Sequence, residues 1–151
     1  MNLEFMGELL KTAKEYNVTI CLENMPWHRF SMATPEMTLK FVREMNDENF
    51  KMCLDTGHAA VFSDLKIGDE LRRVKDEVRV LHVHDNKGGH DLHMFPYFGV
   101  ADWDDFGKAL RDIDFKGVLS LETMPPAKLP TDIFESMCID LAKIAKNIIG
   151  E

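Results

Sequence analysis

The amino-acid sequence predicts an α/β fold: four βα units in a parallel sheet with outer helices, one domain over residues 1–151 that makes half of a TIM-type (β/α)8 barrel. Three observations carry this reading. Short apolar β-like runs alternate with amphipathic helical stretches along the whole chain, the pattern of parallel strands connected by helices. Four of the runs close on residues that divalent metals favour: Glu23 in ICLEN, Asp55 in CLDTGH, His82 in LHVHDN and Glu122 in LSLET. In a barrel such strand ends converge on one face, where the chemistry sits. Finally, 151 residues suffice for one real core but fall short of the roughly 250 of a complete eight-stranded barrel.

Each element follows from local signals. Leu3, Met6, Leu10 and Ala13 recur at helical spacing, so a helix spans Leu3 to Tyr16, and Asn17 stops it before a strand at Val18 to Leu22. Thr34, Pro35 and Glu36 supply an N-cap, a proline at the first helical position and an early acid for a helix running to about Met45. Phe50 to Leu54 is the second strand. Leu65 to Lys75 is a short amphipathic helix, and Val78 to Val83, apolar nearly throughout, reads as a strand covered by helices on both faces. Asp102 caps a helix over Trp103 to Ile113, and Gly117 turns the chain into a fourth strand at Val118 to Leu121. From Thr131, apolar residues recur every three to four positions through Ile148, a long closing helix that ends at Gly150.

Composition narrows the function. With 45% hydrophobic and 29% charged residues the chain has an ordinary soluble composition. Its formal net charge of −8, with no run of Lys and Arg, repels phosphate backbones and anionic membranes, so nucleic acid is not an expected partner. The N-terminal MNLEFMGELLKTAKEYN carries charges throughout, unlike a signal peptide, and no segment has the length of a membrane span. A cytoplasmic location is expected. Cys21, Cys53 and Cys138, odd in number and without CxxC spacing, read as small buried hydrophobes in a reducing compartment.

The loops after the strands are the richest parts of the chain. NMPWHRFSMA follows Glu23, TGHAAVFSD follows Asp55, and a long stretch after His82 holds His84, Asp85, His90, Asp91 and His93 between glycines. Loops of this length inside a compact domain usually carry function. Trp27, Phe30, Phe62, Phe95, Tyr97 and Phe98 are available to floor a binding pocket or to pack on neighbouring helices.

The ordered motifs LENMPW, LDTGHA, LHVHDN, DLH and LSLET resemble the C-terminal half of the sugar isomerase/epimerase-like superfamily of TIM barrels, which includes endonuclease IV-type enzymes, ketose 3-epimerases, inosose dehydratases and xylose isomerase relatives. The resemblance covers nearly the whole chain. It implies that Glu23, Asp55, His82 and Glu122 form a shared metal tetrad, with Glu23 and Glu122 also acting as the acid/base pair. It further implies that His58 binds substrate, or joins Asp91 and His93 in a second metal site. Trp27 is assigned to substrate binding. Two departures stand out: aromatic Phe98 occupies the position where the family often has a glutamate, and the first four βα units have no counterpart.

The residue types agree with such chemistry. Mixed carboxylate and imidazole ligands suit Mn²⁺, Mg²⁺, Co²⁺ or Zn²⁺ and leave positions open for two substrate oxygens. A metal so placed acidifies the C–H next to a ketone and stabilises the enediolate that forms, and two carboxylates on opposite sides of that carbon remove and return a proton. The expected function is a metal-dependent isomerase or epimerase of a small sugar, sugar phosphate or polyol. The alternatives are an endonuclease IV-like phosphodiesterase acting on abasic DNA and a catalytically incomplete half barrel. Plainer roles also remain for single residues. The plain alternatives are strand-end caps and ion pairs for the tetrad, a hydrogen-bonded helix residue for His58 and a solvated turn for Asp91 and His93, while His84, sharing the strand face of His82 by alternation, is its rival as ligand. His28 and His90 read as surface histidines. Unpaired edges on the first and last strands predict a homodimer that closes a barrel from two halves.

Overall fold

A computed structural model describes residues 3–151. Helix α1 (Leu3–Glu15) leads into strand β1 (Ile20–Glu23), followed by α2 (Pro35–Met45), β2 (Phe50–Asp55), α3 (Thr56–Ala60), α4 (Ile67–Val74), β3 (Val78–Val83), α5 (Trp103–Asp112), β4 (Val118–Leu121) and α6 (Thr131–Ile149). The four strands lie parallel in the order β1-β2-β3-β4, each paired with its neighbour in sequence, as successive units of a (β/α)8 barrel are.

The caps fall where the sequence places them. The Thr34 hydroxyl accepts from the Met37 N–H, Pro35 occupies the first turn of α2, and Asn46 ends the helix in the left-handed region, returning its N–H to Val42. Asp102 caps α5 by accepting from the Asp105 N–H at 3.0 Å. The first strand begins two residues later than Val18, because the Val18 N–H is spent on the Ala13 carbonyl at the end of α1 and Asn17 has a left-handed φ of 53°. The helix expected from Leu65 starts at Ile67, since the Leu65 N–H closes a turn onto Phe62. Helix α3 has too few residues for a periodic pattern and was not expected.

One face of the sheet is dry. Phe50, Met52, Leu54, Leu81 and Val83 pack with Val42, Leu71, Val74, Trp103 and Phe106 from the helices in a single apolar core. Burial at about 25 cal/mol per Å² of apolar surface makes this layer the main source of stability. The opposite face carries Asp55, His82 and Ser120 in register, with Glu23 one pleat back beside Cys53, and is open at the edge, where Val118 is 60% exposed. Helices therefore cover β3 on one side only, correcting the expectation of cover on both. The cysteines also divide: Cys53 is buried, Cys21 half-buried, and Cys138 exposed on α6, which corrects the reading of all three as buried.

Candidate metal centre

Register and strand length bring the four metal-type residues together. Glu23 ends β1 opposite Cys53; Asp55 ends β2 opposite His82; and the Glu122 N–H continues the ladder beyond β4 by donating to the Val83 carbonyl at 3.0 Å. One ligand atom from each of Glu23, Asp55, His82 and Glu122 lies within 4.8 Å of all the others. His82 Nδ1 stands 3.3 Å from Glu23 Oε1 and 3.2 Å from Glu122 Oε2, so both carboxylates approach the same ring nitrogen.

A second group adjoins the first. His58, His84, Asp91 and His93 also offer ligand atoms within 4.8 Å of one another. His58 Nδ1–H donates to the Asn24 carbonyl at 2.8 Å and His93 Nδ1–H to the Glu122 carbonyl at 2.7 Å, which leaves each Nε2 facing Asp91 at 3.3 Å and 3.4 Å. Metal-bound histidines characteristically donate their other ring N–H to a carbonyl or carboxylate, so this tautomer is the one a metal needs. His84 is anchored the same way, through Nε2 to Asp55 at 3.1 Å, with Nδ1 turned toward Asp91. Sequence alternation makes His84 a rival of His82. The structure separates them, because β3 ends at Val83 and beyond it the chain leaves the pleat.

Both groups hold buried polar atoms that have no hydrogen-bond partner: His82 Nδ1 and Glu122 Oε2 in the first, His84 Nδ1 and Asp91 Oδ1 in the second. Such atoms are costly unless a ligand satisfies them. The residues present therefore fit divalent metal ions.

The electrostatics follow from crowding. Burial favours the neutral form of Asp55, but its hydrogen bond to His84 and the charges of His84 and His58 outweigh this and hold the carboxyl below the usual range. Burial likewise opposes the charge on His58, yet Glu23, Asp55 and Asp91 raise it to about 9. His84 is raised against its burial by the hydrogen bond and charge of Asp55. Glu122 is raised by burial and then by its contact with Asp55. Burial, with Glu23 and Asp55 nearby, also pushes the Cys53 thiol well up.

Three residues not foreseen from the sequence hold this arrangement. Asn24 spans β1 and β2, donating to the Asp55 carbonyl and accepting the Asp55 N–H at 2.9 Å. Thr56 exchanges hydrogen bonds with both backbone groups of His84, donating to its carbonyl at 2.9 Å and accepting its N–H. Asp85, fully buried, accepts from the N–H groups of Asn86, Gly99, Val100 and Ala101 and from Trp103 Nε1, and so folds the long loop. The only hint was the polar run HDN directly after an apolar strand. Trp27 is 37% exposed and belongs to neither group, His28 packs edge-on against Phe62, and Phe98 lies exposed.

Residues 2–137 match the xylose isomerase-like TIM barrel family, and the chain belongs to it. It is 30% identical over 118 residues to a D-psicose 3-epimerase of Enterocloster bolteae, a match covering 78% of this chain and 37% of the relative. Among solved structures, a D-psicose 3-epimerase determined in the presence of D-fructose superposes with a TM-score of 0.83 at 18% identity, over 99% of this chain and 55% of that one. The IolI protein with a bound zinc atom gives a TM-score of 0.78 at 23% identity, covering 97% of this chain and 54% of that one. These structures share the fold, and the chain spans about half of their length. No helix among the described residues is long and apolar enough to cross a membrane.

Proposed function

We propose that this chain carries the metal-binding half of an isomerase or epimerase acting on a small sugar or sugar phosphate. The observation that carries the reading is the convergence of Glu23, Asp55, His82 and Glu122 with buried, unpartnered ligand atoms at the mouth of a parallel sheet. The zinc of IolI and the activity of the D-psicose 3-epimerase relative point the same way. Glu23, Asp55, His82 and Glu122 would hold a divalent ion, Mn²⁺, Mg²⁺, Co²⁺ or Zn²⁺, which would supply polarisation of a ketone and its neighbouring hydroxyl and so acidify the adjoining C–H.

Glu23 and Glu122 then act as the acid/base pair. They flank His82 from opposite ends of the sheet, and placed on two faces of one carbon they remove a proton and return it with inversion. We assign His58, held by the Asn24 carbonyl and Glu23, and Trp27, with its partly exposed ring, to substrate binding. An open depression of about 580 Å³, lined by Leu92, His93, Leu121, Thr123 and Met124, borders the tetrad at Glu122.

The second group favours another reading, a phosphodiesterase of the endonuclease IV kind, in which His58, Asp91 and His93, with His84, hold a further metal. The net charge of −8 argues against a nucleic-acid substrate. A homodimer closing edge to edge would supply the missing side of the barrel from a second copy, and light scattering reads this directly. A third reading, a catalytically incomplete half barrel, predicts metal binding without turnover.

One experiment separates the three: metal content by elemental analysis, ketose epimerisation, and abasic-duplex cleavage, on the parent and on Asp55→Ala. The expected result is bound metal and epimerisation in the parent, and loss of both in the variant with its fold retained. A folded, metal-supplemented parent without metal would refute the reading.

A further inference from the structure

Two residues deeper along β2 than Asp55 lies Cys53, opposite Glu23 and Val80 in the ladder. It is 3% exposed but stands outside the apolar core cluster, on the polar side of the sheet. Its Sγ, a Glu23 oxygen and a His82 ring nitrogen lie within 4.8 Å of one another, so these three side chains form a ligand set of their own. The Nδ1 of His82 is buried without a hydrogen-bond partner.

We propose that Cys53 gives the centre a second, sulfur-containing mode of metal binding, formed by Glu23, Cys53 and His82 and selective for strongly thiophilic ions such as Cd²⁺. This inference rests on the reading of the tetrad as a metal site. The two modes overlap through Glu23 and His82, so filling one withdraws ligands from the other. Hard ions such as Mg²⁺ and Mn²⁺ choose the carboxylate-rich tetrad, whereas a soft ion gains from the sulfur. On coordination the S–H bond of Cys53 breaks, a sulfur–metal bond forms, and the proton leaves to solvent with no change of oxidation state. An ion in the sulfur mode leaves Asp55 and Glu122 without a metal, so soft ions do not support the chemistry assigned to the full tetrad.

The test is a Cd²⁺ titration followed by the ultraviolet charge-transfer band of a cadmium–thiolate bond. It uses a Cys21→Ser/Cys138→Ser background in which Cys53 is the remaining thiol. Mn²⁺ binding to the same protein, read by electron paramagnetic resonance, serves as the reference. The expected result is one cadmium–thiolate band per chain, abolished by either Cys53→Ser or Cys53→Ala, with Cd²⁺ affinity reduced roughly tenfold to a hundredfold. Circular dichroism checks that the variants fold, and the titration of the background protein decides the matter even if they do not. Mn²⁺ bound without any cadmium–thiolate band overturns this inference and leaves the tetrad standing. Failure of both ions to bind overturns the tetrad and the inference together.

Discussion

Replacing Asp85 by Asn should destabilise this protein more than any exposed substitution, although it changes one oxygen to an amide. Asp85 is fully buried and its two oxygens accept five N–H groups: Asn86, Val100 and Ala101 on Oδ1, Gly99 and Trp103 Nε1 on Oδ2. An amide nitrogen in place of either oxygen points its own hydrogens at two or three of these donors. Each donor left unpaired in the interior costs about 1–3 kcal/mol, and since they share one acceptor the losses do not add fully. A total of about 3–5 kcal/mol is expected, the range for breaking a buried charged contact by removing one partner. In a chain of this size that lowers the melting temperature by about 6–20 °C. Thermal and urea denaturation by circular dichroism measure it, and hydrogen exchange at Gly99, Val100 and Ala101 localises it. A melting temperature within about 2 °C of the parent, or unchanged protection of those amides, would refute the role given to Asp85. The variant should also weaken the second metal group, because the loop that Asp85 folds carries Asp91 and His93.

Other outcomes follow from the same geometry. In the metal-free protein His58, raised to about 9 from an ordinary value of 6.5, stabilises the fold fully below pH 6.5 and loses that contribution as pH rises through 9. The window is worth about 3 kcal/mol, so melting temperature should fall between these pH values and His58→Gln should flatten the slope; a flat parent profile contradicts this. Gly57→Ala should expel His84 from its place, since a Cβ there would lie 2.0 Å from the imidazole ring, and an unaltered affinity for a second metal equivalent would count against the site. Duplex DNA should bind weakly at physiological salt, with tight, salt-sensitive binding to an abasic duplex as the opposing result.

Much of the fold is written locally. Thr34-Pro35-Glu36 and Asp102 specify helix starts through side chains that satisfy nearby N–H groups, and Asn17 and Asn46 adopt left-handed stops, so these signals survive without tertiary context. The tetrad was legible for a related reason. Each ligand closes an apolar run, and parallel strands carry their ends to one face whatever the details of packing.

What the sequence left open depends on contacts between segments far apart in the chain. The alternation of one strand cannot tell His82 from His84, because the difference lies in where β3 stops and in the Thr56 and Asp55 groups that seize His84 from β2 and α3. Asn24 and Asp85 look like ordinary loop polars until β2, Gly99 and Trp103 close around them. The sequence by itself determined the α/β alternation, the caps and the four acidic and histidine residues at the strand ends, which rest on short-range hydrogen bonding and periodicity. Only the tertiary structure decided that His84 joins His58, Asp91 and His93, that a thiol lies below the tetrad and that the sheet is half covered, because these arise from register and burial, which no single segment encodes.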